Sequence, residues 1–138
     1  MHFILYADGG SRGNPGPAGA GALVRDEEGT PVVTVSEFLG TTTNNIAEYT
    51  AVLRALEGLR ALLGSASNSA SVEARLDSQL VVRQMNGEYK IKHPNIVPLA
   101  MKVKEAIRAF REVSFTHVYR EDNTEADALA NAAMDRGH

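Results

Sequence analysis

FILYADGGSRGNPGPAG, residues 3–19, opens as an unbroken apolar run and closes crowded with Gly and Pro. Phe3 to Ala7 has the length of a strand, and with no polar residue among them it reads as a strand covered on both faces, hence at the centre of a sheet. Residues 9–19 hold too many Gly and Pro for a regular element and are expected to form a loop. Beyond it, Ala20 to Arg25 and Val32 to Leu39 read as two further strands, with Asp26-Glu27-Glu28-Gly29 as the hairpin turn between them.

From Ile46 the pattern changes to helical spacing, and Ile46, Tyr49, Leu53, Leu56, Leu59 and Leu63 share one stripe. The small polar stretch GSASNSAS, 64–71, reads as a flexible connection too short to separate one domain from another. In Val72 to Asp77 apolar and charged residues alternate, which predicts a half-buried strand ending at Asp77. A short helix over Gln79 to Met85 follows. Pro98 suits the first turn of another helix, striped by Leu99, Val103, Ala106, Ile107 and Phe110. Val113 to Tyr119 returns to strand, and Asp122-Asn123-Thr124 opens a closing helix that carries Ala126, Leu129, Ala130 and Ala133 inward. Three strands in succession and then alternating helix and strand make an α/β chain: an antiparallel meander extended by parallel strands through crossover helices. There is no internal repeat, and residues 1–138 are expected to be a single domain.

The chain has 43% hydrophobic and 22% charged residues, ordinary for a soluble globular protein, and no apolar run approaches a membrane span. No leader is expected, because His2 runs straight into a strand; a cytoplasmic, monomeric protein is the expectation. The absence of cysteine excludes disulfides, thiolate catalysis and cysteine-bound zinc. Any metal must be held by oxygen or imidazole.

Four carboxylates stand at places where chemistry gathers. Asp8 and Asp77 both follow strand-like runs; if those strands were parallel neighbours the two acids would lie side by side at the carboxyl edge of the sheet. Each also has a plain structural use, Asp8 as a turn former ahead of two glycines and Asp77 as a helix cap. Glu48 lies three residues after Asn45, the spacing of a capping box, yet falls at the border of the apolar arc, where it faces the sheet. Asp127 lies three after Thr124, a poorer capping fit. A hard cation such as Mg²⁺ takes oxygen ligands from separate elements, and two such ions would support in-line phosphoryl displacement. Four acids holding two divalent ions would lift the formal charge of −3 to +1. Six bases (Lys90, Lys92, Lys102, Lys104, Arg108, Arg111) against one acid, Glu105, make residues 90–111 either a phosphate-facing flank or a solvated helix face.

YADGGSRGNPGPAGAG at 6–21, TTNNIAEYTAVLRAL at 42–56, LDSQLVV at 76–82 and REDNTEADALANAA at 120–133 together resemble the type 1 ribonucleases H, over nearly the whole chain. The resemblance implies the ribonuclease H-like mixed sheet of five strands. It implies cleavage of the RNA strand of RNA–DNA hybrids with two Mg²⁺ ions, Mn²⁺ as a substitute, leaving 5′-phosphate and 3′-hydroxyl ends. Asp8, Glu48, Asp77 and Asp127 carry over as metal-binding carboxylates. Asn14, Asn44, Asn45 and Gln79 carry over as contacts to ribose 2′-hydroxyls and minor-groove edges, and Thr43 as a phosphate contact. Amide side chains suit this task because they both donate and accept, and the 2′-hydroxyl is what marks RNA. Arg12 is a candidate for a further phosphate contact.

The chain departs from the family in two ways. Where many members carry a histidine before the last aspartate, the short loop here offers Arg120, which can hold a phosphate but cannot act as a base. His117 nearby reads as a strand residue. The other histidines, His2, His93 and His138, share no ligand spacing. The basic protrusion that some relatives use to grip the hybrid is also missing, and Lys90, Lys92 and His93 are its nearest substitutes. Two rival readings stand beside the enzyme: a module that binds hybrid or double-stranded RNA without turnover, and a related nuclease acting on double-stranded RNA or DNA junctions.

Overall fold

A computed structural model describes residues Met1–His138. Five strands, β1 (His2–Ser11), β2 (Gly16–Arg25), β3 (Pro31–Thr42), β4 (Ser71–Leu76) and β5 (Glu112–His117), form one sheet in the order β3-β2-β1-β4-β5. β1 is central, as its apolar run requires. It pairs antiparallel with β2 and parallel with β4, while β2 pairs antiparallel with β3 and β4 parallel with β5. The helices are α1 (Asn44–Leu63), α2 (Gln79–Met85), α3 (Val97–Ile107) and α4 (Thr124–Arg136). The meander with its parallel extension is therefore present, five strands in all.

α1 lies across β1, β2 and β3 on one face, with α3 packed behind it and α2 against β4 and β5. Its stripe buries Tyr49, Leu53, Leu56 and Leu59 against Leu5, Ala7, Ala22, Val24 and Val72. At roughly 1.5–3 kcal/mol for each large apolar side chain removed from water, this face supplies most of the driving force for folding. α4 covers the opposite face over β1, β2 and β3, through Ala126, Ala130 and Ala133. On that face β4 and β5 carry polar side chains. β1 accordingly alternates: Phe3, Leu5 and Ala7 are buried, whereas Ile4 and Tyr6 are only half-buried. Tyr6 is capped by Arg75, whose Nη1 donates to its hydroxyl at 2.8 Å with the guanidinium 5.6 Å from the ring centre.

Three expectations are corrected. Residues 9–19 are mostly strand, because β1 continues through Ser11 and β2 starts at Gly16, leaving only residues 12–15 as loop. Gly9 and Gly19 are there for close approach: a Cβ on Gly9 would lie 2.2 Å from the carbonyl carbon of Ala47 in α1, and one on Gly19 would lie 2.5 Å from the carbonyl oxygen of Ala130 in α4, as one on Gly21 just beyond would lie 2.3 Å from that of Ala126. Residues Gly64–Ser69 form a 3₁₀ turn with Ser67 buried, not a flexible connection. β4 ends at Leu76, one residue before Asp77, and β5 at His117, two before Tyr119, where parallel pairing stops.

Candidate active site

Asp8 and Asp77 meet because of register. Ala7 of β1 pairs with Leu76 of β4 in parallel, so the next residue on each strand emerges at the same edge. Asp8 is also paired with Gly21 of β2, the glycine on which α4 rests, and so shares the α4 face. Gly9, turned the other way, receives α1 so closely that its Cβ would stand 2.4 Å from the backbone nitrogen of Glu48. Two glycine contacts thus bring a helix to either side of Asp8, and each helix delivers one acid, Glu48 or Asp127. All four carboxylates, with Ser78 and Arg120, line one cavity of about 560 Å³.

The plain structural uses of these acids are not realised. Asp8 sits within a strand, accepting from the Gly9 N–H at 2.9 Å. α1 is capped by the Thr43 hydroxyl, which accepts from Ile46 N at 3.4 Å, so Glu48 lies beyond the reach of a capping box. Ser78, not Asp77, caps α2 through the Val81 N–H at 3.3 Å. Asp127 donates its own backbone N–H to the carbonyl of Asn123, one turn into α4, and makes no cap.

Burial pushes the Asp8 carboxyl from 3.8 up to about 8, helped by the charge of Asp77 and by a hydrogen bond with Asp127, and opposed by the Gly9 N–H. Burial likewise raises Glu48 to about 7; a hydrogen bond from the Ser78 hydroxyl opposes it and the Asp77 charge adds to it. One oxygen of Glu48, Oε2, is buried with no hydrogen-bond partner. An acid set held at a cost to its own ionisation, all of it oxygen and including an unsatisfied buried carboxylate atom, fits a hard divalent cation. No three acidic or imidazole side chains close into a cage around one point. The acids stand along the walls, which suits an ion that keeps several waters.

The other residues singled out from the sequence divide into three groups. Asn44, Arg12 and Arg120 line the same cavity as the acids. The Oδ1 of Asn44 accepts from Ser11 N at 2.7 Å and from Ser11 Oγ at 2.9 Å, and Asn14 Oδ1 accepts from Asn44 N at 3.2 Å, so the β1–β2 loop is fastened to the start of α1. Asn14, Thr43 and Asn45 line a separate cavity of about 200 Å³ with His93 and Ile96. Gln79 is exposed at the first residue of α2 and lines neither of these cavities. His117 packs edge-on against Tyr119, ring centres 5.8 Å apart, and does not line the acidic cavity.

The structure adds Asn123, which reads from sequence as a helix opener. It is 1% exposed, its side chain makes no cap, and its Nδ2 donates 2.9 Å to the carbonyl of Ala7, the residue before Asp8. It ties the start of α4, and with it Asp127, to β1. Asn123→Ala is expected to lower stability by about 1–3 kcal/mol by stranding that buried carbonyl; urea denaturation measures it, and an unchanged midpoint would dismiss the tie. Ser11, Ser78 and Asn131 are the further polar side chains on the cavity wall.

A profile of the reverse transcriptase-like family matches residues 6–133. The chain is 44% identical to a bifunctional protein of Mycobacterium tuberculosis over 138 residues, covering 98% of this chain and 36% of that protein. It thus spans about a third of the length of that relative. Among solved structures, LC11-RNase H1 in complex with an RNA/DNA hybrid superposes with a TM-score of 0.91 at 44% identity, covering 97% of each chain. The RNase H1 of the archaeon Halobacterium salinarum gives 0.89 at 39% identity, covering 99% of each. With the sheet order, the acid-lined cavity and these likenesses in agreement, the chain belongs to the type 1 ribonuclease H family.

Proposed function

We propose that residues 1–138 form one catalytic domain that hydrolyses the RNA strand of RNA–DNA hybrids internally, leaving 5′-phosphate and 3′-hydroxyl ends. The observation that carries this reading is the convergence of Asp8, Glu48, Asp77 and Asp127, from four separate parts of the chain, on one cavity. These four would hold two Mg²⁺ ions, or Mn²⁺ in their place. When bound, such ions supply Lewis-acid stabilisation of the attacking and leaving oxygens of an in-line displacement. The chain's own role is to position. Asp8, flanked by Asp77 and Asp127, would hold the ions together with them, and Glu48, beside Ser78 on the cavity wall, would complete the set.

Substrate recognition is assigned to Asn14, Asn44, Asn45 and Gln79 at ribose 2′-hydroxyls and minor-groove edges, with Thr43 at a backbone phosphate. All four acids come from one chain, so a monomer suffices, and the cytoplasm is the proposed setting. No helix is long and apolar enough to cross a membrane.

Arg120, exposed at the cavity rim, is assigned to hold a substrate phosphate. Arg120→Ala is expected to slow turnover by about tenfold, the scale of one charge-assisted contact, without changing metal affinity. Unchanged hybrid cleavage by that variant would remove Arg120 from the site. The deciding experiment for the whole reading uses a hybrid labelled on its RNA strand. Product that requires Mg²⁺ or Mn²⁺ and is lost in Asp77→Asn supports the enzyme. Binding at micromolar protein with no metal-dependent product supports instead the module without turnover, which the Arg120-for-histidine exchange favours. Cleavage of double-stranded RNA in preference to hybrid would shift the substrate class.

A further inference from the structure

Two cations line the acidic cavity, and one of them is already engaged. Arg12 Nη2 lies 2.6 Å from Oδ1 of Asp135, with the two side chains 49% and 68% exposed. The backbone beneath Arg12 is fixed: its N–H donates 2.8 Å to the carbonyl of Pro17, and its own carbonyl would stand 2.1 Å from any Cβ placed on Gly16. The loop is also pinned to α1 through Asn14, Asn44 and Ser11. Toward α4 its side-chain tie is this ion pair. What can move is therefore the arginine side chain, between Asp135 and the cavity.

Asp135 has no evident use in its own helix. It is the penultimate residue of α4, where the macrodipole disfavours an acid, and it does not line the cavity itself. An exposed ion pair of this kind is weak, about 0–1 kcal/mol, which is strong enough to park an arginine and too weak to keep it from a phosphate. A guanidinium donates its fork of N–H groups to carboxylate or phosphate oxygens alike.

We propose that Asp135 is an intramolecular stand-in for a backbone phosphate: it holds Arg12 at the mouth of the site and yields it when nucleic acid enters, so that Asp135 tunes substrate affinity. This rests on the hybrid-cleaving reading given above. No bond is made or broken; one ion pair exchanges for another.

The test measures KM and kcat on labelled hybrid at several salt concentrations for the wild type, Asp135→Asn, Arg12→Ala, Arg12→Lys and the Asp135→Asn/Arg12→Ala double variant. Asp135→Asn is expected to lower KM roughly two- to fivefold with kcat held, as the loss of a weak exposed competitor dictates. Arg12→Ala is expected to raise KM and flatten the salt dependence by about one phosphate contact, with partial rescue by Arg12→Lys. In the Arg12→Ala background the Asp135 change should have no effect. The proposal is overturned if Asp135→Asn raises KM, making Asp135 a support for Arg12. It is equally overturned if KM falls as far without Arg12 as with it, or if Arg12→Ala leaves KM unmoved. A wild type that neither binds nor cleaves hybrid would overturn the functional reading as well, a result distinct from normal cleavage without coupling.

Discussion

Asp8→Asn is expected to reduce metal-dependent cleavage of the RNA strand by about a thousandfold or more, while making the metal-free protein more stable near neutral pH. Both effects come from the same placement. Asp8 is the acid beside Asp77 and Asp127, so its loss removes the ligand the two ions would share. In the absence of metal its ionisation is opposed by burial and by Asp77, which raises its pKa from 3.8 to about 8. A carboxyl whose folded value exceeds its unfolded value contributes stability that is fully present below the unfolded value and is lost as pH rises through the folded one. Metal-free wild type should therefore lose stability between about pH 4 and pH 8, with Glu48 adding to the loss between 4.5 and about 7. Asp8→Asn keeps an acceptor for the Gly9 N–H but carries no charge, and should flatten that slope, with a gain on the order of 2 kcal/mol at pH 8. Urea denaturation across pH in a chelator measures it. A variant as pH-sensitive as the wild type, or less stable at pH 8, would contradict the electrostatic account.

Gly9→Ala is the second large effect. The added methyl would meet the Ala47 carbonyl carbon at 2.2 Å and its oxygen at 2.4 Å, backbone atoms of α1 that no side-chain rotation can move aside. The helix must shift, and Glu48, the residue after Ala47, shifts with it. Overpacking of this kind costs about 3 kcal/mol, and a displacement of about 1 Å at a catalytic group costs about a hundredfold in rate. Gly10→Ala is the natural control, since its Cβ would find only the flexible end of Met134 at 3.8 Å. Thermal denaturation and cleavage kinetics of the pair should separate them clearly. Equal behaviour would mean that the close seating of α1 on β1 is not what sets the site.

Gly9 also shows where the sequence was legible and where it was not. The Tyr49-Leu53-Leu56-Leu59 stripe and the alternation of Val72, Ala74 and Leu76 with Glu73 and Arg75 declare their partners through period alone, and the structure buries the apolar set in both cases. Glycine declares nothing comparable. In residues 9–19 it could signal a turn or a close approach, and only the helices that bring Ala47 onto Gly9 and Ala130 onto Gly19 decide for approach. Asn123 is similar: it looks like a helix opener because its real partner, the carbonyl of Ala7, lies 116 positions away. The four acids could be named from their motifs, but their meeting depends on the Ala7–Leu76 register, a long-range property. The amide residues could be named too, yet Asn14, Thr43 and Asn45 open onto a different cavity from Asn44, a division that adjacency in sequence conceals.

The most direct test is a crystal of the wild-type protein soaked in Mn²⁺ and measured at the manganese absorption edge. Two anomalous peaks inside the cavity, both within ligand distance of the Asp8 carboxylate and together touching Glu48, Asp77 and Asp127, are the predicted result. A saturating soak that leaves no peak at Asp8, or places manganese only on surface acids such as Glu28 or Asp122, would contradict it.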